Sequence, residues 1–491
     1  MISATAPGTT EGVSALVAAA RAAAAAHGAI DDVAGLAVRV MAEAALGRRP
    51  LAGHDTLSLS ITLAGTELVI ALRDQGEPVS SPPVTMLRMV DLGFLDTADA
   101  RIDGSGNVTE ARLPLPSHTV MLDETGLEVL DEEAPLSDAP VVLRPLEPDD
   151  AAALTRCIYR CYGWTYPNTD LYFPDRLAAS ILSGQRVGEV AVDPSGEVAA
   201  HWGAVFVADG VVETGATVTD PRFRRRGLAN DLGERLLERL VAMGVRGRMR
   251  EPVLTHPATQ QIALREGAHP VGAYLHASPP LQQVGITDGM LAERISVSVF
   301  FSPLAEMPAA EVHIPATFEP LVRRILEPAG WPISIAAART NDAPERSVLR
   351  ASYTAEHRTG GLVVEIVGTD LADAVDDALT GLRSAGAEMA TVQLPAAQPA
   401  LAVCGAGLSA LGLGFATFLP DMGSYGPALT LQWLADPDID MSAWVFADER
   451  VESLIRAIAD QARDLGDDIV RRRRRQARRL RLFAALPVAA G

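Results

Sequence analysis

DPRFRRRGLAND, residues 220 to 231, sets three arginines directly against a glycine where a strand hands over to a helix. Upstream, GATV ends near Val218. Downstream, Leu228, Leu232, Leu236, Leu237, Leu240 and Val241 recur with helical period, so the stretch between forms the amino terminus of that helix. The first turn of a helix points unpaired N–H groups outward and carries the positive end of the dipole, which makes it an anion site. Gly227 lets an anion approach the backbone, the small Ala229 leaves it room, and Arg224, Arg225 and Arg226 add charged donors. A plain basic, solvated helix cap would use the same residues, and both readings stand at this level.

The chain of 491 residues exceeds what one hydrophobic core supports, and a prior of ~150 residues per domain predicts about three units. No apolar run approaches the ~20 residues of a spanning helix, and MISATAPGTTEG places no basic residue ahead of an apolar stretch, so a cytoplasmic protein with no membrane role is expected. The formal charge of -20 argues against a general nucleic-acid surface. Cys157 and Cys161 have i,i+4 spacing without further ligands nearby and read as packing residues, with no metal expected. All 42 basic residues are arginine. A GC-rich genome explains this; a chain that cannot be acylated on its own side chains would also suit a lysine acyltransferase.

The first unit is read over residues 1–118. Residues 13 to 27 and 31 to 46 have helical periodicity, and TLSLSITLA and ELVIALRDQG follow as a hairpin turning at Gly65 and Thr66. Helix, helix, hairpin resembles the start of the GHKL-type ATPase fold in its anti-sigma serine kinase and histidine-kinase branch. That resemblance implies a Mg²⁺-binding helix and a DxGxG loop that reads adenine. Asp74, Gly76 and Pro78 stand where that loop would be, but Val40 and Ala44 occupy the expected metal-ligand positions, and PPVTMLRMVDLGF lacks the lid glycines. Without oxygen ligands for the metal the ATP site is degenerate, and a scaffold or regulatory partner-binding role is expected for residues 1–118. Asp74 also suits a simple strand-end turn. Residues 119–140 form an acidic linker ending in Pro140.

The second unit, 141–304, opens with VVLRPL and a helix near Pro148. GEVAVD, EVAAHWGAVFVA and VVETGATVTD then form an antiparallel meander ahead of the arginine loop. After the helix from about Gly227 to Met243 come a strand near Pro252 to Thr255, a helix from about Ala258 to Glu266, and strands around Gly272 to Leu275 and Ile295 to Phe301. Arg224, Gly227 and Ala229 in the pattern RxxGxA, behind a strand carrying V-T-D-P, resemble the pyrophosphate loop of the GNAT N-acetyltransferases. The resemblance implies acetyl-CoA as co-substrate, with pyrophosphate on the amides of Arg224, Arg225, Arg226, Gly227, Leu228 and Ala229 and the pantetheine arm along Thr217 and Val218. It also implies direct attack on the thioester by an amine of a protein lysine or a small molecule.

Such a reaction needs a base, an oxyanion donor and an acid. Glu213, at the start of the strand leading to the loop, is the first candidate base, and a salt-bridging strand end is its plain alternative. His201 is the second candidate base. The tyrosine that many relatives use as acid has no counterpart, since Ala263 holds its place, four residues before Gly267 and Ala268; Tyr274 is the substitute. Tyr159, Tyr162, Tyr166 and Tyr172 fall where the family builds an acceptor wall, or they fill core.

The third unit, 305–465, repeats the same order of elements without the arginine loop, VGTDLADA standing in its place, and reads as a degenerate GNAT-like copy. Residues 466–491 form a basic tail, with eight arginines from Arg471 to Arg481, that suits a helix folded back on the acidic body. The expected architecture is an α/β (α+β) multidomain chain, a GHKL-like sandwich followed by two GNAT-like domains with mixed central sheets. The expected function is acyl-CoA-dependent N-acyl transfer. The alternative is a non-catalytic regulatory protein, a CoA sensor or anti-sigma-type partner switch. A homodimer is compatible with the composition.

Overall fold

The computed structural model describes residues 2–48, 56–64, 67–79, 81–103, 106–115, 135–287, 289–337, 343–354 and 357–484, with 467–484 as backbone. The expected turn at Gly65 and Thr66, linker residues 119–134 and the side chains of the arginine tail lie outside the described residues.

The first unit comprises β1 (Ile2–Pro7), α1 (Thr10–Ala26), α2 (Asp31–Gly47), β2 (Thr56–Ala64), β3 (Glu67–Asp74), α3 (Val84–Asp91), β4 (Thr97–Asp103) and β5 (Gly106–Pro114). The middle unit has β6 (Val142–Pro145), α4 (Ala151–Tyr162), α5 (Pro174–Leu182), β7 (Arg186–Val192), β8 (Val198–Ala208), β9 (Val211–Thr219), α6 (Leu228–Ala242), β10 (Gly247–Arg250), α7 (Ala258–Arg265), β11 (His269–Ser278) and β12 (Ile295–Pro303). The third has β13 (Ala310–Val312), α8 (Glu319–Ala329), β14 (Ile333–Ile335), β15 (Val348–Thr354), β16 (Thr359–Ile366), α9 (Leu371–Ala385), β17 (Met389–Pro395), α10 (Leu401–Cys404), β18 (Gly414–Leu419), β19 (Ala428–Leu434) and α11 (Glu449–Ala484). The strand expected near Pro252 to Thr255 lies earlier, as β10, and Val253 makes only an isolated bridge to Val297.

The units do not carry separate sheets. Strand pairing runs without a break through β1-β2-β3-β5-β4-β15-β16-β17-β19-β18-β11-β12-β10-β9-β8-β7-β6, one mixed sheet of 17 strands. Two seams join it. At the first, Ala100 of β4 opposes Ala351 of β15. At the second, Gly272 of β11 opposes Thr417 of β18. Gly272 has φ 148°, and a Cβ there would lie 2.0 Å from the Ala416 carbonyl oxygen, so only glycine lets the strands meet. The buried Gln432 closes this seam: its oxygen accepts from the Leu275 N–H at 2.9 Å, and its nitrogen donates to the carbonyls of Phe415 (3.0 Å) and Ala273 (3.2 Å).

The middle and third units share a topology. In one, β9 is parallel to β10 and the order continues β12, β11; in the other, β16 is parallel to β17 and the order continues β19, β18. They meet through the equivalent strands β11 and β18.

The middle unit's strands are clothed on both faces. Leu228, Leu232, Leu236 and Leu240 of α6, buried at i,i+4 spacing, lie on the face that carries Trp202 and Val212. Contact is close enough that a Cβ on Gly233 would sit 2.5 Å from the Trp202 ring. Leu154, Ile158 and Leu177 of α4 and α5 cover the opposite face with Val190 and Val218. Each buried leucine contributes roughly 2 kcal/mol of apolar transfer free energy, which fixes the strands that position the site.

Candidate functional site

The loop after β9 is held from below. Asp220, fully buried, ion-pairs with Arg222 at 2.7 Å and Arg160 at 3.3 Å, and its Oδ1 accepts the Arg222 N–H at 3.0 Å. Arg226 is committed to the linker's end, donating to the carbonyls of Ala139 (2.8 Å) and Ser137 (3.2 Å). Arg224 and Arg225 make no hydrogen bond or ion pair among the described residues. Arg225 has φ 64° and Gly227 φ 77°, and these left-handed residues turn successive amides toward one hollow lined by residues 223–230 and Thr219. No side chain caps α6, and among the described residues the N–H groups of Arg224 through Ala229 meet no acceptor. The loop therefore has the donors that an anion requires.

β9 leads from that hollow into a cavity of about 450 Å³. Its parallel pairing with β10 stops at Met249 opposite Glu213, whereas β9 continues to Thr219. Residues 214–217 of β9 therefore line the cavity on that side without pairing to a strand, and the Tyr166 hydroxyl faces the Ala216 amide there. On its other side β9 bulges: register with β8 shifts between His201 and Gly203, and Ala216 adopts φ 49°. His201 holds this bulge, its Nδ1–H donating to the Ala216 carbonyl at 2.8 Å. Burial lowers its pKa to about 4, so the ring is neutral at pH 7 and Nδ1 is the protonated nitrogen.

Three cross-strand rows lie on this face of the sheet, and the cavity covers the last two in part. Val190, His201 and Val218 form one; Gly188, Gly203 and Gly215 the next; Arg186, Val205 and Glu213 the third. The glycine row is a trough. The His201 ring fills its Gly188 end, where a Cβ would approach Nε2 to 2.8 Å, and only Glu213 Oε1 lies near a Cβ on Gly215, at 3.6 Å. Glu213 and Glu251 both line the cavity without a hydrogen bond or ion pair among the described residues. Burial raises the pKa of Glu213 against the opposing field of Arg186. Burial, then repulsion from Glu213, pushes Glu251 well above the carboxylate range. Tyr166 shares the cavity, its hydroxyl pushed up to about 12 by burial. Arg250 also lines it but is engaged, paired with Glu266 and stacked over Trp202 at 5.3 Å.

Of the expected catalytic residues, Glu213 lies in the cavity. His201 sits beneath the bulge and Tyr274 is turned toward Thr417 and Thr430 at the second seam, and neither lines the cavity. Thr217 lines the cavity, residues 224–229 line the hollow before α6, and Val218 points into the core. Tyr162 and Tyr166 form part of the wall; the Tyr172 hydroxyl donates to the Gly163 carbonyl at 2.6 Å and braces it. Glu251 and Arg186 escaped the sequence reading. A parallel β9–β10 pair, once assumed, would have marked the carboxylate just past β10 as a neighbour of Glu213. A further wall residue, His357, comes from the third unit and is hydrogen-bonded through Nε2 to the Pro167 carbonyl.

The equivalent places elsewhere are closed. Between β16 and β17 the Gln398 amide accepts from the Val367 N–H (2.8 Å) and donates to the Glu365 carbonyl (2.7 Å), plugging the slot. The turn before α9 uses its own amides: Gly368 donates to Ser347 Oγ (2.9 Å) and Thr369 to the Pro344 carbonyl (2.9 Å). In the first unit the Asp74 carboxylate is occupied by Arg48, by the Gly76 N–H at 2.9 Å and by the Asn107 amide at 2.8 Å, the arrangement of a strand-end turn. Among the described residues no group of His, Cys, Asp and Glu could hold a metal ion, and no helix is long and apolar enough to cross a membrane.

No protein-family model matches the chain, and no curated protein matches it. Solved structures similar to part of it include an N-acetyltransferase from Staphylococcus aureus Mu50, at 13% identity, covering 34% of this chain and 100% of that one, TM-score 0.28. A GNAT superfamily phosphinothricin acetyltransferase from Sinorhizobium meliloti, solved with acetyl-CoA, is 19% identical over 34% of this chain and 89% of its own, TM-score 0.27. The ribosomal-protein-S18-alanine N-acetyltransferase from Escherichia coli is 17% identical over 34% and 96%, TM-score 0.28.

Proposed function

We propose that the middle unit is an acyl-CoA-dependent N-acyltransferase, with acetyl-CoA as donor. The observation that carries this reading is the unpaired edge of β9, which runs from a cavity holding free carboxylates to a hollow of unpaired amides. The amides of residues 224–229, with Arg224 and Arg225, bind the pyrophosphate. The pantetheine amides pair with the free edge of β9 as an added strand would, which sets the thioester beside Glu213 and Glu251. An amine attacks the thioester carbonyl, the C–N bond forms, and the C–S bond breaks to release the thiol. Glu213 takes the proton that the nitrogen loses, a task suited to a carboxylate whose basicity burial has increased. The protonated partner of the carboxylate pair, or Tyr166, returns a proton to the departing sulfur.

The test is a calorimetric titration of acetyl-CoA into the parent protein and into Gly227→Glu, which puts a negative side chain among the anion-binding amides. Saturable binding to the parent and its loss in a variant that still melts cooperatively is the expected result. Absence of saturation in the parent overturns the reading. Binding without release of free thiol in the presence of any amine would instead favour a CoA sensor. The first unit is assigned a scaffold or partner-binding role, because Arg48 occupies Asp74.

A further inference from the structure

The acceptor end of the cavity has a charge pattern that the reaction itself does not require. Arg186 is only 7% exposed, lines the cavity, and makes no hydrogen bond or ion pair among the described residues, its Nε wholly without a partner. A buried guanidinium without an anion is costly, and such a group is tolerated where a ligand supplies the anion. Arg186 and Glu213 rise from the same face of one row, with Val205 between them. Strands ~4.8 Å apart put their Cα atoms roughly 10 Å from each other. The trough at Gly215 leaves open floor beside them. Opposite charges thus face a shared space without closing on one another.

We propose that the acceptor is a small free amino acid or related amino-carboxylate, its carboxylate bound by Arg186 and its amine presented to Glu213 and Glu251. This rests on the acyltransferase reading for the reaction but not for the binding. Burial favours the protonated form of both carboxylates, and repulsion from Glu213 adds to this for Glu251, so beside Arg186 the pair offers acceptors for an ammonium without a large excess of negative charge. A lysine side chain within a protein has no carboxylate to give Arg186. The wall also narrows the approach for a macromolecule, since Pro167 is tied to His357 of the third unit beside the cavity.

The experiment is ligand-observed saturation-transfer NMR on the full chain, with the proteinogenic amino acids, their decarboxylated amines and a lysine-containing peptide, followed by thiol-release assays with acetyl-CoA. Free amino acids are expected to bind and to be acylated in preference to their decarboxylated counterparts. Arg186→Gln should raise the KM for the preferred amino acid at least about tenfold, the loss of a charge-assisted hydrogen bond, and leave the decarboxylated amine much less affected. Arg186→Met, close in shape, serves if the glutamine variant fails to fold. Decarboxylated amines or the peptide used as well as amino acids would overturn the proposal, as would acetyl-CoA binding with no amino acid saturating the site. Amino acids that bind through Arg186 in a protein that does not bind acetyl-CoA would sink the acyltransferase reading and leave this one standing.

Discussion

Glu213 and His201 sit two rows apart on the same face of the sheet, and burial acts on them in opposite ways. For Glu213 it disfavours the anion and makes the carboxylate a better proton acceptor. Glu213→Gln keeps the shape and removes the base; kcat should fall by about 10²–10⁴, and the acidic limb of the pH–rate profile should disappear with it. For His201 burial disfavours the cation. Its folded pKa of about 4 lies below the ordinary 6.5, so between those values the unfolded chain binds a proton that the folded chain does not. Stability is therefore complete above pH 6.5 and falls as the pH drops toward 4, by up to about 3 kcal/mol from this one group. Urea midpoints measured across that window should fall less steeply for His201→Leu than for the parent.

At the scale of elements, one parallel strand pair occurs twice with two outcomes. Between β9 and β10 the slot stays open, whereas between β16 and β17 Gln398 fills it. Calorimetry should accordingly give one acetyl-CoA per chain. Gln398→Ala removes both bonds from partly buried backbone groups and should cost about 1–3 kcal/mol by chemical denaturation, with no second site appearing, because the amides before α9 are already engaged. The helices and strands with strong periodicity were legible in the sequence: α2, α6 and β2 lie within a residue of the pattern. The position of the loop before α6 was legible as well, since a glycine ahead of an amphipathic helix is a local signal. Glu251, Arg186 and His357 were not. Glu251 and His357 enter the site through contacts between segments distant in sequence, and short β10, GRMR, has no apolar alternation to announce it, whereas Arg186 lies at the start of β7, two residues before the strand pattern GEVAVD begins. Tyr274 misled for the same reason: its strand was read correctly, but the side facing the cavity depends on a seam with β18 that no local pattern encodes.

At the scale of the whole molecule, the continuous sheet makes the units interdependent. Cutting the chain after residue 304 would strip β18 from β11 and leave Leu275 and Ala273 without Gln432. It would also uncover the side of β11 against which α11 lies. The truncated protein should aggregate on expression, since an unpaired, apolar edge is a template for other chains. The full chain should lose its middle and third units in one calorimetric transition. The pairing of His357 with Pro167, 190 residues apart, has a further consequence in time. During synthesis the middle unit emerges first, with its binding wall unfinished and its edge strand waiting. A ribosome must deliver about the first third of the third unit, through His357, before the cavity has all its sides, so this wall stays incomplete in the nascent polypeptide until that stretch has been made.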